Sequence, residues 1–126
     1  MYNATETVPD DSHHGSTKLH MDVMDALNRM LWAADSQDGK PGCAKWHIFD
    51  AIDAPLLCKF AIERGFTNLG DPIHSQMIHL NPQLLKRLFE EYRIRPYTIF
   101  QYPGDVVFIP AYCAHQVSCY ICVLMR

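Results

Sequence analysis

The chain has no long hydrophobic run: no apolar stretch in its 126 residues approaches the roughly 20 that a membrane-spanning helix needs. Its N-terminus, MYNATETVPDDSHHGS, lacks the basic-then-apolar order of a signal peptide. No one sign of charge dominates. The 14 acidic and 11 basic side chains leave a formal net charge of −3, so neither nucleic acid nor an anionic membrane is an expected partner. The five cysteines (Cys43, Cys58, Cys113, Cys119, Cys122) are an odd number and lie mostly in apolar stretches, where a free thiol behaves as a small hydrophobe. This pattern argues against a disulfide framework and favours a reducing, intracellular compartment. Cys119 and Cys122 form a lone C-x-x-C with no second Cys or His pair beside it, too few donors for a structural zinc site. Internal repeats and low-complexity tracts are also missing.

What is present fits one globular domain: 48% of residues are hydrophobic and 20% charged. Residues 1–14 read as a disordered lead-in. KLHMDV and AKWHIF read as strands, while ALNRMLWA fits strand or helix. Asp53 to Gly65 reads as a helix capped by Asp53, with Pro55 in its first turn and an apolar stripe of Leu56, Leu57, Phe60 and Ile62. QMIHL is expected as a short strand. A second helix starts at the N-cap Asn81 with Pro82 behind it, and its buried face is Leu84, Leu85, Leu88 and Phe89. From Tyr97 onward, Val, Ile, Tyr and Phe broken by Pro103-Gly104 and Pro110 predict a hairpin and a further strand. The fold class is therefore mainly β with helical insertions, as a small barrel or sandwich.

The polar residues inside these strands carry the chemistry. In STKLHMDV, His20 and Asp22 are two apart, and a strand would project both to one face. Two ligands of one metal ion would be placed so, and so would two solvated polar residues. Downstream, GDVVFIPAYCAHQV sets His115 at the start of a strand just after a rigid Pro turn. Two imidazoles and one carboxylate make the donor set of the facial triad of non-haem Fe(II) oxygenases, which leaves three metal positions open. H-x-D alone is weak, and seven histidines make a distant third one easy to find. The surrounding G-D-x-x-F-I-P-x-x-x-x-H carries more weight.

Four segments, GSTKLHMDVMDALNRMLWA, KPGCAKWHIFDAIDA, DPIHSQMIHLNPQLLKRLFEEYRI and QYPGDVVFIPAYCAHQV, run in order from Gly15 to Val117. In them the sequence resembles the JmjC domain of cupin-type 2-oxoglutarate oxygenases, within the histone-lysine demethylase group that includes hairless-type proteins. The resemblance implies a double-stranded β-helix of jelly-roll or cupin type over residues 15–126, incomplete and truncated at both ends. It implies Fe(II) held by His20, Asp22 and His115, with 2-oxoglutarate as co-substrate. The implied reaction is oxidative demethylation of methyl-lysine in a histone tail peptide, in the nucleus. Thr17, three before His20, matches the hydroxyl that related oxygenases place on the co-substrate's distal carboxylate; an ordinary strand Thr is the equal alternative. Asn28 sits where the family is polar and is a second co-substrate candidate, with a core-edge amide as the equal alternative.

That carboxylate also needs a cation. The family position for a Lys, on the strand after His115, reads SCYICVLMR, whose only cation is Arg126. Lys45 is the alternative, one residue out of register beside Trp46, with a solvent-facing strand Lys as the default reading. The Ala34–Gly42 loop is shorter than the family's. Without the strand Lys, a catalytically inactive module that binds chromatin partners is the alternative function, and a small cupin-like metal binder a third. His74 and Gln76 are expected to fix a loop, and His47 and His79 to be structural strand histidines. His13 and His14 fall in the lead-in, and Trp32, Trp46, Tyr97 and Phe108 are expected in the core.

Overall fold

Alternation of apolar and polar residues drives two antiparallel sheets in the computed structural model, which describes residues 17–33, 35, 39, 42–66, 73 and 78–119. The strands are β1 (Thr17–His20), β2 (Ala26–Arg29), β3 (Ala44–Ile48), β4 (Tyr97–Gln101), β5 (Val106–Ile109) and β6 (His115–Cys119). Helices α1 (Ala54–Glu63) and α2 (Pro82–Tyr92) fall between β3 and β4. One sheet has the order β1-β6-β3-β4 and the other pairs β2 with β5. The mainly β class with helical insertions is what the sequence predicts. The expected terminal hairpin is not formed: β4 pairs with β3, β5 with β2, and β6 with both β1 and β3. Turn signals mark where a strand stops, not which strand it joins. Here the Pro103-Gly104 turn, with Gly104 at φ +93°, delivers β5 to the other sheet. Gly104 N–H donates to Met30 O at 2.8 Å, which closes that crossing onto the end of β2.

Core clusters lie on both faces of the four-stranded sheet, while the edge strand β4 is exposed along Tyr97–Phe100. Ala44, Trp46 and Ile48 of β3 and Val117 of β6 meet Val107 and Ile109 of β5, filling the layer between the sheets. On the far side Leu19, Phe49 and Ala114 pack against Leu57, Phe60 and Ala61 of α1 and Leu88 of α2. Full burial of a Leu or Phe stabilises by about 1.5–3 kcal/mol each, so this second cluster anchors both helices to the sheet.

Helix α2 begins as expected: the Asn81 side chain accepts from Leu84 N–H at 2.8 Å, Pro82 follows, and Arg93 ends the helix in the left-handed region at φ +58°. Helix α1 differs. A 3₁₀ turn, Ala51–Asp53, leads into it, so Asp53 stands at the N-cap with helical φ and ψ and makes no side-chain cap bond. Its buried residues are Leu57, Phe60 and Ala61, the i, i+3, i+4 set, while Leu56 and Ile62 face outward. Of the aromatics expected in the core, Trp46 is buried, but Trp32, Tyr97 and Phe108 are exposed. Among the described residues no helix is long and apolar enough to cross a membrane. His13, His14, His74, Gln76, Cys122 and Arg126, and most of the SCYICVLMR segment, lie outside the described residues.

Candidate metal centre

Strand β1 ends at His20, and Asp22 follows it on the loop to β2. Simple i, i+2 alternation therefore does not bring the carboxylate to the imidazole. The loop does, and it is pinned: Tyr112 N–H donates to Asp22 O at 2.8 Å and Ala111 N–H donates to Asp25 Oδ1 at 2.7 Å. Tyr112 holds a left-handed φ of +65°, a conformation that costs a non-glycine residue about 1 kcal/mol. These two bonds tie the loop preceding His115 to the loop carrying Asp22. The sequence offered no direct sign of Asp25 or Tyr112, since the contacts span the whole chain.

His20 and His115 are cross-strand partners in β1 and β6, with ring centroids 4.2 Å apart. Asp22 Oδ2 stands 4.0 Å from His20 Nε2 and 3.8 Å from His115 Nε2, and the three donor atoms all lie within 4.8 Å of one another. These separations exceed a hydrogen bond, so the groups converge without satisfying each other. Three mutually adjacent donors about 2.1 Å from one metal sit about 3 Å apart, so each pair would close by roughly 1 Å or more to hold an ion.

The two imidazoles are prepared alike. His20 Nδ1 lies 2.8 Å from Lys18 O and His115 Nδ1 lies 3.0 Å from Cys113 O. A carbonyl only accepts, so each Nδ1 carries the proton, and each Nε2 presents its lone pair to the common point. Burial lowers the His115 pKa. The hydrogen bond to Cys113 and the Asp22 charge oppose that shift, and neighbouring His20 adds to it. The donor set thus fits a divalent cation, with two Nε2 lone pairs and one exposed carboxylate.

The other predicted residues separate into two groups. Thr17 pairs with Val117 and His20 with His115, so three residues of β1 span two of β6. That irregularity puts Thr17 on the face of His20, which a regular strand would deny to residues three apart. Asn28 pairs with Val107, and its Oδ1 accepts from Gln101 Nε2 at 3.1 Å, so it too faces the layer between the sheets. Lys45 does not. It pairs with Phe100 and Ser118, opposite in face to Trp46, and its Nζ lies 5.8 Å from the Phe100 ring centroid. The strict period of two in β3 sends Trp46 and Lys45 to opposite faces, with Trp46 on the side of His115. The buried polar residues among those described are His47, Gln101, His115 and Gln116, with no lysine or arginine.

Sequence reasoning missed Gln101 and Gln116, both 1% exposed. Gln101 Oε1 accepts from Trp46 Nε1–H at 2.8 Å, and its Nε2 donates toward Asn28 O, Asn28 Oδ1 and Asp105 O at 2.9, 3.1 and 3.2 Å. Gln116 Oε1 accepts from Leu80 N–H at 2.7 Å, and its Nε2 donates to Leu80 O at 2.8 Å and to His47 Nδ1 at 3.1 Å. A glutamine inside an apolar run is the available sequence signal, because a buried amide must be hydrogen-bonded. His47 is a structural strand histidine as expected, whereas His79 lies in a segment without strand structure.

A β fold that brings two imidazoles and a carboxylate from its two ends to one point defines a candidate metal-binding domain. The chain belongs to the JmjC domain, hydroxylase family, whose model matches residues 12–125. It is similar to lysine-specific demethylase 3A of Rattus norvegicus, with 38% identity over 160 aligned positions covering 98% of this chain and 13% of that protein. Lysine-specific demethylase 3 of Drosophila melanogaster is 37% identical over 94% of this chain and 18% of its own length. Lysine-specific demethylase JMJ27 of Arabidopsis thaliana is 41% identical over 60% of this chain. The chain spans between 12% and 18% of the length of the 3A and Drosophila relatives. The 3A alignments run over more positions than this chain has residues, so those relatives carry extra residues within the matched region.

Proposed function

We propose that this chain is an Fe(II)- and 2-oxoglutarate-dependent dioxygenase domain that demethylates methyl-lysine in histone tails in the nucleus, as a chromatin regulator. In this reading the two sheets are the halves of a double-stranded β-helix over residues 15–126. The observation that carries the proposal is the convergence of His20 Nε2, Asp22 Oδ2 and His115 Nε2 within 4.8 Å. Similarity to proteins named lysine-specific demethylases supports the substrate class.

Fe(II) would let dioxygen and 2-oxoglutarate hydroxylate an N-methyl carbon, one oxygen atom going to that carbon and the other to succinate, with carbon dioxide and formaldehyde as the further products. The residues supply the setting. Backbone carbonyls of Lys18 and Cys113 hold each imidazole proton on Nδ1, so both rings offer Nε2 without reorganising. Asp22 brings the one negative charge to the donor set, and three facial donors leave room for a chelating co-substrate. Trp46, Ile48, Val107, Ile109 and Val117 keep the layer beside His115 dry. Thr17 and Asn28, on that same inner face, are the proposed co-substrate contacts.

Succinate release by the purified chain with Fe(II), 2-oxoglutarate and a methyl-lysine histone peptide tests the proposal, with His20→Ala as control. Release of succinate and formaldehyde that His20→Ala abolishes is the expected result. Equal release by both proteins refutes the site, and succinate without formaldehyde refutes the substrate.

A further inference from the structure

Between the proposed metal centre and the join of the two sheets runs one continuous set of contacts. The Trp46 indole lies nearly parallel to the His115 ring, with centroids 5.9 Å apart and planes 29° from parallel. Its Nε1–H is held by Gln101 Oε1 at 2.8 Å. The Gln101 amide has only one possible orientation. Its nitrogen faces the backbone carbonyls of Asn28 and Asp105, which can only accept, so its oxygen must face the indole. Gln101 lies on β4, at the far edge of the four-stranded sheet from β1, while Asn28 lies on β2 of the other sheet. It bonds to no member of the donor set.

We infer that Gln101 is a positioning residue for the metal centre, acting through Trp46 to fix the tilt of the His115 ring; this rests on the proposed metal site. The Nδ1 bond to Cys113 O sets one edge of the imidazole but leaves rotation about that bond. The Trp46 face removes this freedom on one side, provided the indole itself is locked. Without an acceptor, the buried indole N–H is left unpaired, and the ring turns to find a partner. His115 Nε2 then loses its aim toward Asp22 Oδ2, 3.8 Å away. The bonds from Gln101 to Asn28 and Asp105 link the same ring to the spacing of the two sheets.

Co(II) binding, read by its visible absorption bands and by calorimetry without co-substrate or peptide, tests this inference. Gln101→Leu is expected to raise the Co(II) Kd by about tenfold or more. In a Trp46→Phe background the same substitution is expected to cost less than about twofold, because the route through the indole is gone. A second measurement needs no variant. The sequence has two tryptophans, so the indole N–H region of an NMR spectrum holds two signals. The signal of buried Trp46 should exchange slowly with water and shift on Zn(II) saturation, while that of exposed Trp32 should not move. Three results would overturn the inference: a Gln101→Leu Kd within twofold of wild type, an undiminished Gln101→Leu effect in Trp46→Phe, or a Trp46 signal unmoved by bound Zn(II). Wild-type protein that binds neither metal would overturn the metal site itself, and with it this inference.

Discussion

Replacing Gln116 with leucine should unpin the segment that feeds α2. Gln116 is 1% exposed and shares β6 with His115, on the opposite face. Its amide meets both backbone groups of Leu80, itself 2% exposed, at 2.7 and 2.8 Å. Leucine has nearly the same volume but leaves Leu80 N–H and C=O buried without those partners. Each unsatisfied group costs about 1–3 kcal/mol, and the added apolar burial returns about 1–2 kcal/mol. The net loss should be about 3 kcal/mol. Because a domain of this size has about 5–15 kcal/mol in total, that loss should lower Tm by roughly 10 °C. Urea unfolding should show a lower midpoint at unchanged slope. Hydrogen exchange should show loss of protection at the Leu80 amide, while the Leu19 amide, bonded to Ile78 O at 2.8 Å, fades less. A midpoint shift worth under about 0.5 kcal/mol, or a still-protected Leu80 amide, would refute the clamp.

His47 makes stability depend on pH. Its pKa is pushed down to about 4 by burial first, then by the Lys45 charge and by His79. Gln116 Nε2–H already points at His47 Nδ1, so a proton there would oppose a donor. The folded state therefore keeps His47 neutral, while the unfolded chain protonates it below about 6.5. Stability should be complete above that pH and fall by up to about 3 kcal/mol as pH drops towards 4. His115 shifts in the same sense, so the check is the difference between wild type and His47→Asn; identical pH profiles would refute this assignment. Co(II) at a hundred times its Kd should stabilise the folded chain by about 2.7 kcal/mol in a thermal melt. Asp22→Asn should abolish most of that gain, and a gain equal to wild type would remove Asp22 from the site. Asn81→Ala should cost about 1 kcal/mol by removing the α2 cap, seen as a small loss of helix stability in the same melts.

Local sequence signals mark the second helix, most of the strands and the candidate donors. Asn81-Pro82 opens a helix wherever it folds, because the cap and the proline act within one turn. Likewise Pro110 and the residues around it end β5 and start β6 at His115, and the H-x-D pair with that histidine, singled out through the family resemblance, supplies the three converging side chains. Each of these signals rests on short-range sterics or on residue chemistry. Long-range pairing decided the rest. Which strands meet depends on packing the two core clusters on either side of the four-stranded sheet, and no local turn encodes that choice. A one-residue register separates Trp46, stacked on His115, from Lys45 on the opposite face. An irregularity in β1 turns Thr17 to the face of His20, and contacts across the chain hold the Asp22 loop and orient Gln101. Such positions arise only when distant segments pack together, since a side chain's direction is fixed by the partner strand it meets and not by its neighbours in sequence.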